Sequence, residues 1–129
     1  MKRTIIDTKQ APRAIGPYVQ AFQVGEQIFL SGQVGFDMTT KKLPDTVEEQ
    51  MRNALLNIES ILKAAGAVKE DVVKTTVFLQ DMADFDAINK VYAEFFGDHK
   101  PARSCVAVAA LPIGALVECE CIAILDKEV

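Results

Sequence analysis

The stretch that decides the fold is Pro101-Ala-Arg-Ser-Cys-Val-Ala-Val108, followed by a short loop and then Leu116-Val-Glu-Cys-Glu120. These apolar runs predict two final strands, over 106–110 and 116–125. Arg103 stands at the mouth of the first strand, and Glu118 stands within the second, where there is little other charge. If the strands pair, or converge on one cleft, a guanidinium and a carboxylate face the same small space. Such a pair suits a small organic acid.

Upstream of this stretch, apolar periodicity and capping signals predict the remaining elements. Thr46 and Glu49 form a capping box at the start of an apolar stripe that runs from 47 to 65, and Gly66 occupies the position of a left-handed C-terminal cap. The other predicted elements are strands over 3–6, 21–24, 27–30 and 72–79, and a second helix over 85–96 that Asp84 caps and Gly97 ends.

Glycines mark two special positions among the early strands. Gly25-Glu26 lies between two apolar runs and predicts a type II′ hairpin. Ser31-Gly32 comes directly after a strand, where glycine indicates a bulge or the close approach of a ligand or backbone. Residues 35–44 are predicted to form a loop.

The element order β, ββ, α, β, α, ββ predicts an α+β fold, a mixed sheet with two helices. Because crossovers between parallel strands are right-handed, both helices are expected on one face of the sheet. The last strand is nonetheless apolar on both faces, apart from its two glutamates. An uncovered apolar sheet face is an association surface, so the sequence predicts a homo-oligomer, with a small cyclic assembly favoured.

Length and composition narrow the class of protein. The 129 residues, half of them hydrophobic and a quarter charged, predict a single globular domain over 1–129. The chain shows neither an apolar run of the ~18 residues that a membrane helix needs nor a signal segment, so a cytoplasmic protein is expected. The net charge of −4 argues against nucleic-acid binding.

The cysteines and the one histidine form no set at zinc spacing, so no metal is expected. Cys119 and Cys121 share one strand face, are poorly placed to bond each other, and are expected to be buried, reduced thiols. Cys105 is a weak candidate nucleophile because His99 is six residues away and is expected in a solvent loop.

Arg103 and Glu118 admit two interpretations from the residues alone. An arginine fork binds a carboxylate through two parallel hydrogen bonds, and a partly buried glutamate suits a general base. Alternatively, each takes part in a structural ion pair, which is the commoner role of arginine. Glu120 shares the strand face of Glu118, and composition does not choose between them. Tyr18 in its Gly-Pro-Tyr turn and Asn89 on the second helix are ordinary surface or core residues by type.

Several segments taken together carry more information than any one of them. They are AIGPYVQA at 14–21, LSGQVG at 30–35, VKTTVFLQDM at 73–82, FDAINKVYAEFF at 85–96, PARSCV at 101–106 and VECECIA at 117–123. In this order and spacing, over nearly the whole length, the chain resembles the Rid/YjgF family of reactive intermediate or imine deaminases. The resemblance implies a chorismate-mutase-like fold, and a trimer with its sheets facing inward and its three active sites at subunit interfaces.

The activity that the resemblance implies is hydrolysis of 2-aminoacrylate and related 2-imino acids to 2-oxo acids and ammonia, with no metal or organic cofactor. It implies that Arg103 binds the substrate carboxylate and that Glu118, rather than Glu120, is associated with the attacking water. The other residues that match the pocket are Tyr18, Ser31, Gly32, Asn89 and Cys105, the last acting through its backbone. The cleft then lies at a subunit boundary, so Tyr18 and Asn89 need not belong to the same chain as Arg103.

Other functions stay open from the sequence. The same pocket suits a non-catalytic regulator that binds a 2-oxo acid or an amino acid and reports it to a partner protein. Family members also carry labels as translation inhibitors or ribonucleases, a role that the acidic charge of this chain disfavours. A chaperone role based on exposed apolar surface is a further alternative. The sequence does not indicate which imine is preferred.

Overall fold

The computed structural model describes residues 1–125 and shows one six-stranded mixed sheet with two helices. The strand order is β1-β2-β3-β6-β4-β5, in which β4 and β5 are parallel and every other neighbouring pair is antiparallel. The elements are β1 (Arg3–Ile6), β2 (Ala21–Val24), β3 (Gln27–Val34), α1 (Val47–Ala64), β4 (Val72–Leu79), α2 (Phe85–Phe96), β5 (Ala102–Ala107) and β6 (Val117–Ile124).

Helix α1 begins and ends at the predicted signals. The Thr46 hydroxyl oxygen accepts a hydrogen bond from the Glu49 N–H at 3.2 Å, and the hydroxyl donates to the Glu49 carboxylate at 3.0 Å. The carboxylate thus holds the Thr46 side chain rather than its backbone N–H, a variant of the predicted capping box. Gly66 has φ +79°, and the Ala67 N–H donates to the Leu62 carbonyl at 2.8 Å, which completes a Schellman cap.

The prediction that Asp84 caps the N-terminus of α2 is wrong. Asp84 makes no side-chain capping hydrogen bond, because a 3₁₀ turn (Met82–Asp84) precedes the helix and leaves Asp84 itself in a helical conformation. The cap lies one turn earlier, where the Asp81 carboxylate accepts from the Ala83 N–H at 2.9 Å. Gly97, with φ +62°, ends the helix as predicted.

The last two strands differ most from the prediction. β5 begins at Ala102 rather than at 106, and it pairs with β4 in parallel instead of forming a hairpin with β6. The right-handed crossover through α2 returns the chain parallel to β4, and β6 then inserts between β3 and β4. Arg103 consequently lies inside a strand, opposite Thr75, and not at the mouth of one.

The early strands follow the glycine signals, except that the strand predicted over 27–30 continues to Val34 and contains Ser31-Gly32. Gly25 has φ +60° at the first central position of the β2–β3 turn, as a type II′ hairpin requires. The register of β3 against β6 shifts between Leu30 and Gln33, so Ser31-Gly32 forms the predicted bulge. All three cysteines are free, and Cys119 and Cys121 are buried, as expected.

Burial alternates along the strands and distinguishes the two faces of the sheet. Both helices pack on one face, where the core includes Val77 and Val117. The opposite face, which we call the open face, carries apolar side chains that remain exposed, Ile5 by 59%, Phe29 by 41% and Ile124 by 41%. Within residues 1–125, neither helix is long and apolar enough to cross a membrane.

Candidate active site

A small cavity on the open face collects four of the predicted site residues. Tyr18, Ser31, Gly32 and Glu118 line a cavity of about 360 Å³, which we call the carboxylate pocket. The β3 bulge supplies Ser31 and Gly32, and the neighbouring strand β6 supplies Glu118. Tyr18 comes from the turn before β2, where its side chain is 52% exposed. The sequence motifs at 14–21, 30–35 and 117–123 therefore meet at one place.

The backbone at Gly32 lies close to the Glu118 carboxylate. A Cβ atom placed on Gly32 would overlap the Glu118 carboxylate oxygen Oε2. The missing side chain lets Glu118 lie against β3 and direct its carboxylate into the pocket. The sequence allowed either a bulge or a close approach at this glycine, and the structure shows both.

The environment of Glu118 favours its neutral form. Partial burial raises the pKa of the Glu118 carboxyl group, and repulsion from Glu120 raises it further. A glutamate with a raised pKa is a better proton acceptor when it is ionised, so the pocket gives Glu118 the character of a general base. Glu120 lies on the same face but is exposed.

Buried polar contacts that the sequence did not reveal hold the wall of the carboxylate pocket. The Gln20 side chain is 2% exposed, accepts from the Thr8 N–H at 2.7 Å and donates to the Pro12 carbonyl at 2.8 Å. The Ser31 hydroxyl donates to the Val19 carbonyl at 2.6 Å. Together they fix the segment before β2 against β3. Glutamine within an apolar motif gives little sign of this role, since the partners are backbone groups far apart in sequence.

Arg103 lies in a second cluster, on the helix side of the sheet. Its Nη1 donates to the Asn89 side-chain oxygen at 2.8 Å, and its guanidinium carbon lies 4.8 Å from the ring centre of Tyr92 and 5.4 Å from that of Phe85. We call these four residues the guanidinium cluster. The hydrogen-bond partner is a neutral amide and the rings are uncharged, so these contacts orient the cation without neutralising it. Asn89, assigned by resemblance to the substrate pocket, thus contacts Arg103 directly.

Cys105 follows Arg103 on the same face of β5 and is half-buried. Burial raises the pKa of its thiol, and the nearby Arg103 charge acts in the opposite direction with a smaller effect. The net change disfavours the thiolate, in line with the expectation that Cys105 acts through its backbone. His99 is half-buried rather than in a solvent loop, with its Nε2 2.7 Å from the Val72 carbonyl oxygen.

The two clusters lie on opposite faces of the sheet within one chain. Arg103 is opposite Thr75 of β4, whose side chain is buried beneath α2, while Glu118 is opposite Phe78 of β4 on the open face. Alternation along β4 places Thr75 and Phe78 on different faces. The supposition that Arg103 and Glu118 face each other within one chain is therefore wrong. β5 is an edge strand, so a second chain can approach the guanidinium cluster there.

The functional groups of the two clusters are charged and polar side chains. Among residues 1–125, no group of three His, Cys, Asp or Glu side chains is placed to hold a metal ion. The groups that remain are a cation suited to a carboxylate, a carboxylate suited to a water molecule or an amino group, and a phenol that borders the pocket.

Fold and clusters together define a class of small α+β proteins in which a mixed sheet carries a polar site in two parts. The chain belongs to the Endoribonuclease L-PSP family, also known as YjgF/Rid, whose model matches residues 8–125. This confirms the family resemblance found in the sequence motifs.

Three relatives illustrate the match. The chain is 50% identical over 123 residues to the mouse 2-iminobutanoate/2-iminopropanoate deaminase, covering 95% of this chain and 91% of that protein. The YjgF gene product of Escherichia coli superposes with a TM-score of 0.92 at 44% identity, over 95% of this chain and 99% of that one. The Escherichia coli protein TdcF, whose structure contains bound serine, gives a TM-score of 0.91 at 44% identity, over 95% and 99%.

Proposed function

We propose that this protein is a 2-iminobutanoate/2-iminopropanoate deaminase that hydrolyses small 2-imino acids to 2-oxo acids and ammonia. The observation that carries the proposal is the nature of the two clusters: a fixed guanidinium that its contacts do not neutralise, and a half-buried carboxylate in a small cavity. The mouse relative, which is named for this reaction, supports the enzyme class at 50% identity.

Each cluster has a separate task in this reaction. Arg103 binds the substrate carboxylate through N–H groups that Asn89 leaves free. Glu118 holds a water molecule and accepts a proton as the water oxygen bonds to the imine carbon. The C=N π electrons move to nitrogen, which takes up a proton from solvent, so a tetrahedral carbinolamine forms. Glu118 then returns its proton to the amino nitrogen, the hydroxyl group of the adduct loses its proton to solvent as the C=O bond forms, and the C–N bond breaks to release ammonia. The contributions of the protein are the positioning of the substrate and the proton that Glu118 accepts and then returns.

The remaining predicted residues form the surroundings of the substrate. Tyr18, Ser31 and Gly32 border the carboxylate pocket. The backbone of Cys105 holds the substrate next to Arg103, and Asn89 acts chiefly by orienting the guanidinium. The Ser31 hydroxyl already donates to a backbone carbonyl, so towards the substrate it offers an acceptor oxygen.

We propose further that the site is completed in a homotrimer of chorismate-mutase-like arrangement, with the sheets facing inward. The open face supports this, since its exposed phenylalanine and isoleucine side chains are the kind of surface that association buries. The separation of the clusters supports it as well. With Arg103 and Glu118 on opposite faces of one sheet, a substrate that contacts both requires Arg103 from one protomer and Glu118 from its partner.

A coupled assay tests the proposed reaction. An amino acid dehydratase or oxidase generates the imine in situ, and the rate of ammonia or 2-oxo acid release is compared with and without this protein. We expect wild type to accelerate release, and Arg103→Ala to remove the acceleration. Arg103→Lys should recover little of it, because an ammonium group does not form the bidentate contact. As a matched control, Arg52→Ala removes an exposed arginine on α1 and should leave the rate unchanged. Full acceleration by Arg103→Ala would refute the proposal.

A second candidate is a regulator that binds a 2-oxo acid or an amino acid without turnover. The observation in its favour is that the relative TdcF has a structure with bound serine, an amino acid. Calorimetry beside the coupled assay distinguishes the two functions, because an enzyme also binds its product but accelerates imine hydrolysis. A regulator would bind 2-oxobutanoate tightly and leave imine hydrolysis at its uncatalysed rate. RNA cleavage, the activity in the family's description, fits the net charge of −4 poorly.

A further inference from the structure

Three partners of Arg103 come from one stripe of α2. Phe85, Asn89 and Tyr92 are spaced i, i+4 and i+7, so they lie above one another on the same helix face. Asn89 takes one of the five guanidinium N–H groups, and the two rings lie against the planar cation. The guanidinium therefore has a cradle of its own, built from a single element.

The Tyr92 ring of this cradle is itself held at two points. Its hydroxyl lies 2.7 Å from the Thr75 hydroxyl, and the Thr75 side chain is 1% exposed. Its ring lies 4.8 Å, centre to centre, from the ring of Phe96, which is 3% exposed. Thr75 is also the residue directly opposite Arg103 in the β4–β5 register. The strand that carries Arg103 and the helix that holds it are thus fixed relative to each other through Tyr92.

We infer that Tyr92 is a positioning residue that acts through Arg103: its anchored ring, with Phe85 and Asn89, presents the guanidinium fork in one orientation to a carboxylate. The inference rests on the proposed role of Arg103 as the carboxylate-binding group. A free arginine side chain has several rotatable bonds that carboxylate binding must immobilise. A guanidinium that already lies against two rings has lost much of that freedom.

The sequence pattern predicted a purely structural role for Tyr92. An aromatic residue at helical spacing is normally a core residue, and Tyr92 does pack on the core. Its hydroxyl, however, is hydrogen-bonded to the buried Thr75 hydroxyl, and its ring lies against the Arg103 cation. Burial raises the pKa of Tyr92, so the neutral phenol that this arrangement needs is the form present.

Two substitutions separate the ring from the hydroxyl. Tyr92→Leu removes the ring, and we expect the KM for the imine and the Kd for 2-oxobutanoate to rise about three- to thirtyfold, with a much smaller change in kcat. Tyr92→Phe keeps the ring and should stay within about threefold of wild type. The matched control is Phe95→Leu, since Phe95 is also on α2 and also packs on Phe96, but stacks on Lys69 instead of Arg103. It should leave KM and Kd unchanged.

The decisive comparison is made in the absence of Arg103. In the Arg103→Ala background, adding Tyr92→Leu should cause no further rise in the Kd for 2-oxobutanoate. A residue that acts through Arg103 has nothing left to position there. The inference is overturned if Tyr92→Leu binds 2-oxobutanoate like wild type, if Phe95→Leu loses as much, or if the losses simply add. If Arg103→Ala itself behaves like wild type, the proposed function fails instead, so the two failures are distinguishable.

Discussion

Glu118 and Arg103 show how two ordinary side chains become unusual through their contacts. The Glu118 carboxylate lies against Gly32, and its partial burial, with the repulsion from Glu120, raises its pKa and favours its neutral form. The Arg103 guanidinium lies against two aromatic rings and donates a hydrogen bond to a neutral amide oxygen instead of a carboxylate. In each case the neighbours leave the group free to act on a ligand.

At the residue scale, the raised pKa of Glu118 predicts the pH dependence of the reaction. A base must be ionised, so kcat/KM should fall on the acid side with a midpoint above the usual glutamate value of 4.5. Glu120→Gln removes the repulsive charge and should move that midpoint to lower pH. A pH–rate profile of both proteins checks this. An acid limb that keeps the same midpoint without Glu120 would contradict the assignment of Glu118 as the base.

The same pKa shift has a consequence for stability, with a defined sign. The folded pKa of Glu118 is raised, so its protonated form contributes stability at low pH, and that stability is lost as the pH rises through the folded value. Glu118→Gln should therefore melt at a higher temperature than wild type at neutral pH while losing activity. The difference in melting temperature should vanish well below the ordinary glutamate pKa of 4.5, where both states are protonated.

At the scale of elements, local sequence signals predicted the helices and most strands, whereas the long-range pairing of the last strands was predicted wrongly. α1 was predicted correctly because its apolar stripe lies within the helix and its two capping signals lie directly beside its ends. β5 was misplaced because its partner, β4, is separated from it by the whole of α2, and no local pattern records that pairing. The site followed the same rule. The motifs identified its candidate residues, but the face on which each lies depended on strand order.

The β3 bulge gives the clearest prediction for an element. In Gly32→Ala the new methyl group would collide with the flexible end of Glu118, which can move aside, so the protein should fold. The displaced carboxylate should lower kcat/KM by about a hundredfold, within the range of general-base effects.

Gly35→Ala provides the contrast, because its Cβ would collide with the backbone of Gln50 in α1, which cannot move aside. That variant should lose stability rather than specific activity. Thermal melts beside the coupled assay separate the two outcomes. A Gly32→Ala protein with full activity would show that the close approach of Glu118 to β3 has no role.

At the scale of the whole molecule, the helices cover one face of the sheet and leave apolar side chains exposed on the other face. The proposed association with further copies of the chain would cover the exposed apolar side chains of the open face and would bring the two clusters together. The sequence predicted such an association from the two-faced apolar pattern of β6. The trimeric number and the cytoplasmic location stay predictions.

The most direct test of the shared site mixes two inactive variants, Arg103→Ala and Glu118→Gln. Each variant alone should give no acceleration of imine hydrolysis. Refolded or co-expressed in equal amounts as mixed trimers, they should recover about one quarter of wild-type activity, since random assembly restores an intact Arg103 and an intact Glu118 at that share of interfaces. Subunit mixing is verified by mass spectrometry of the intact assembly. Mixed trimers that remain as inactive as the separate variants would show that both groups act from one chain, and would contradict the account.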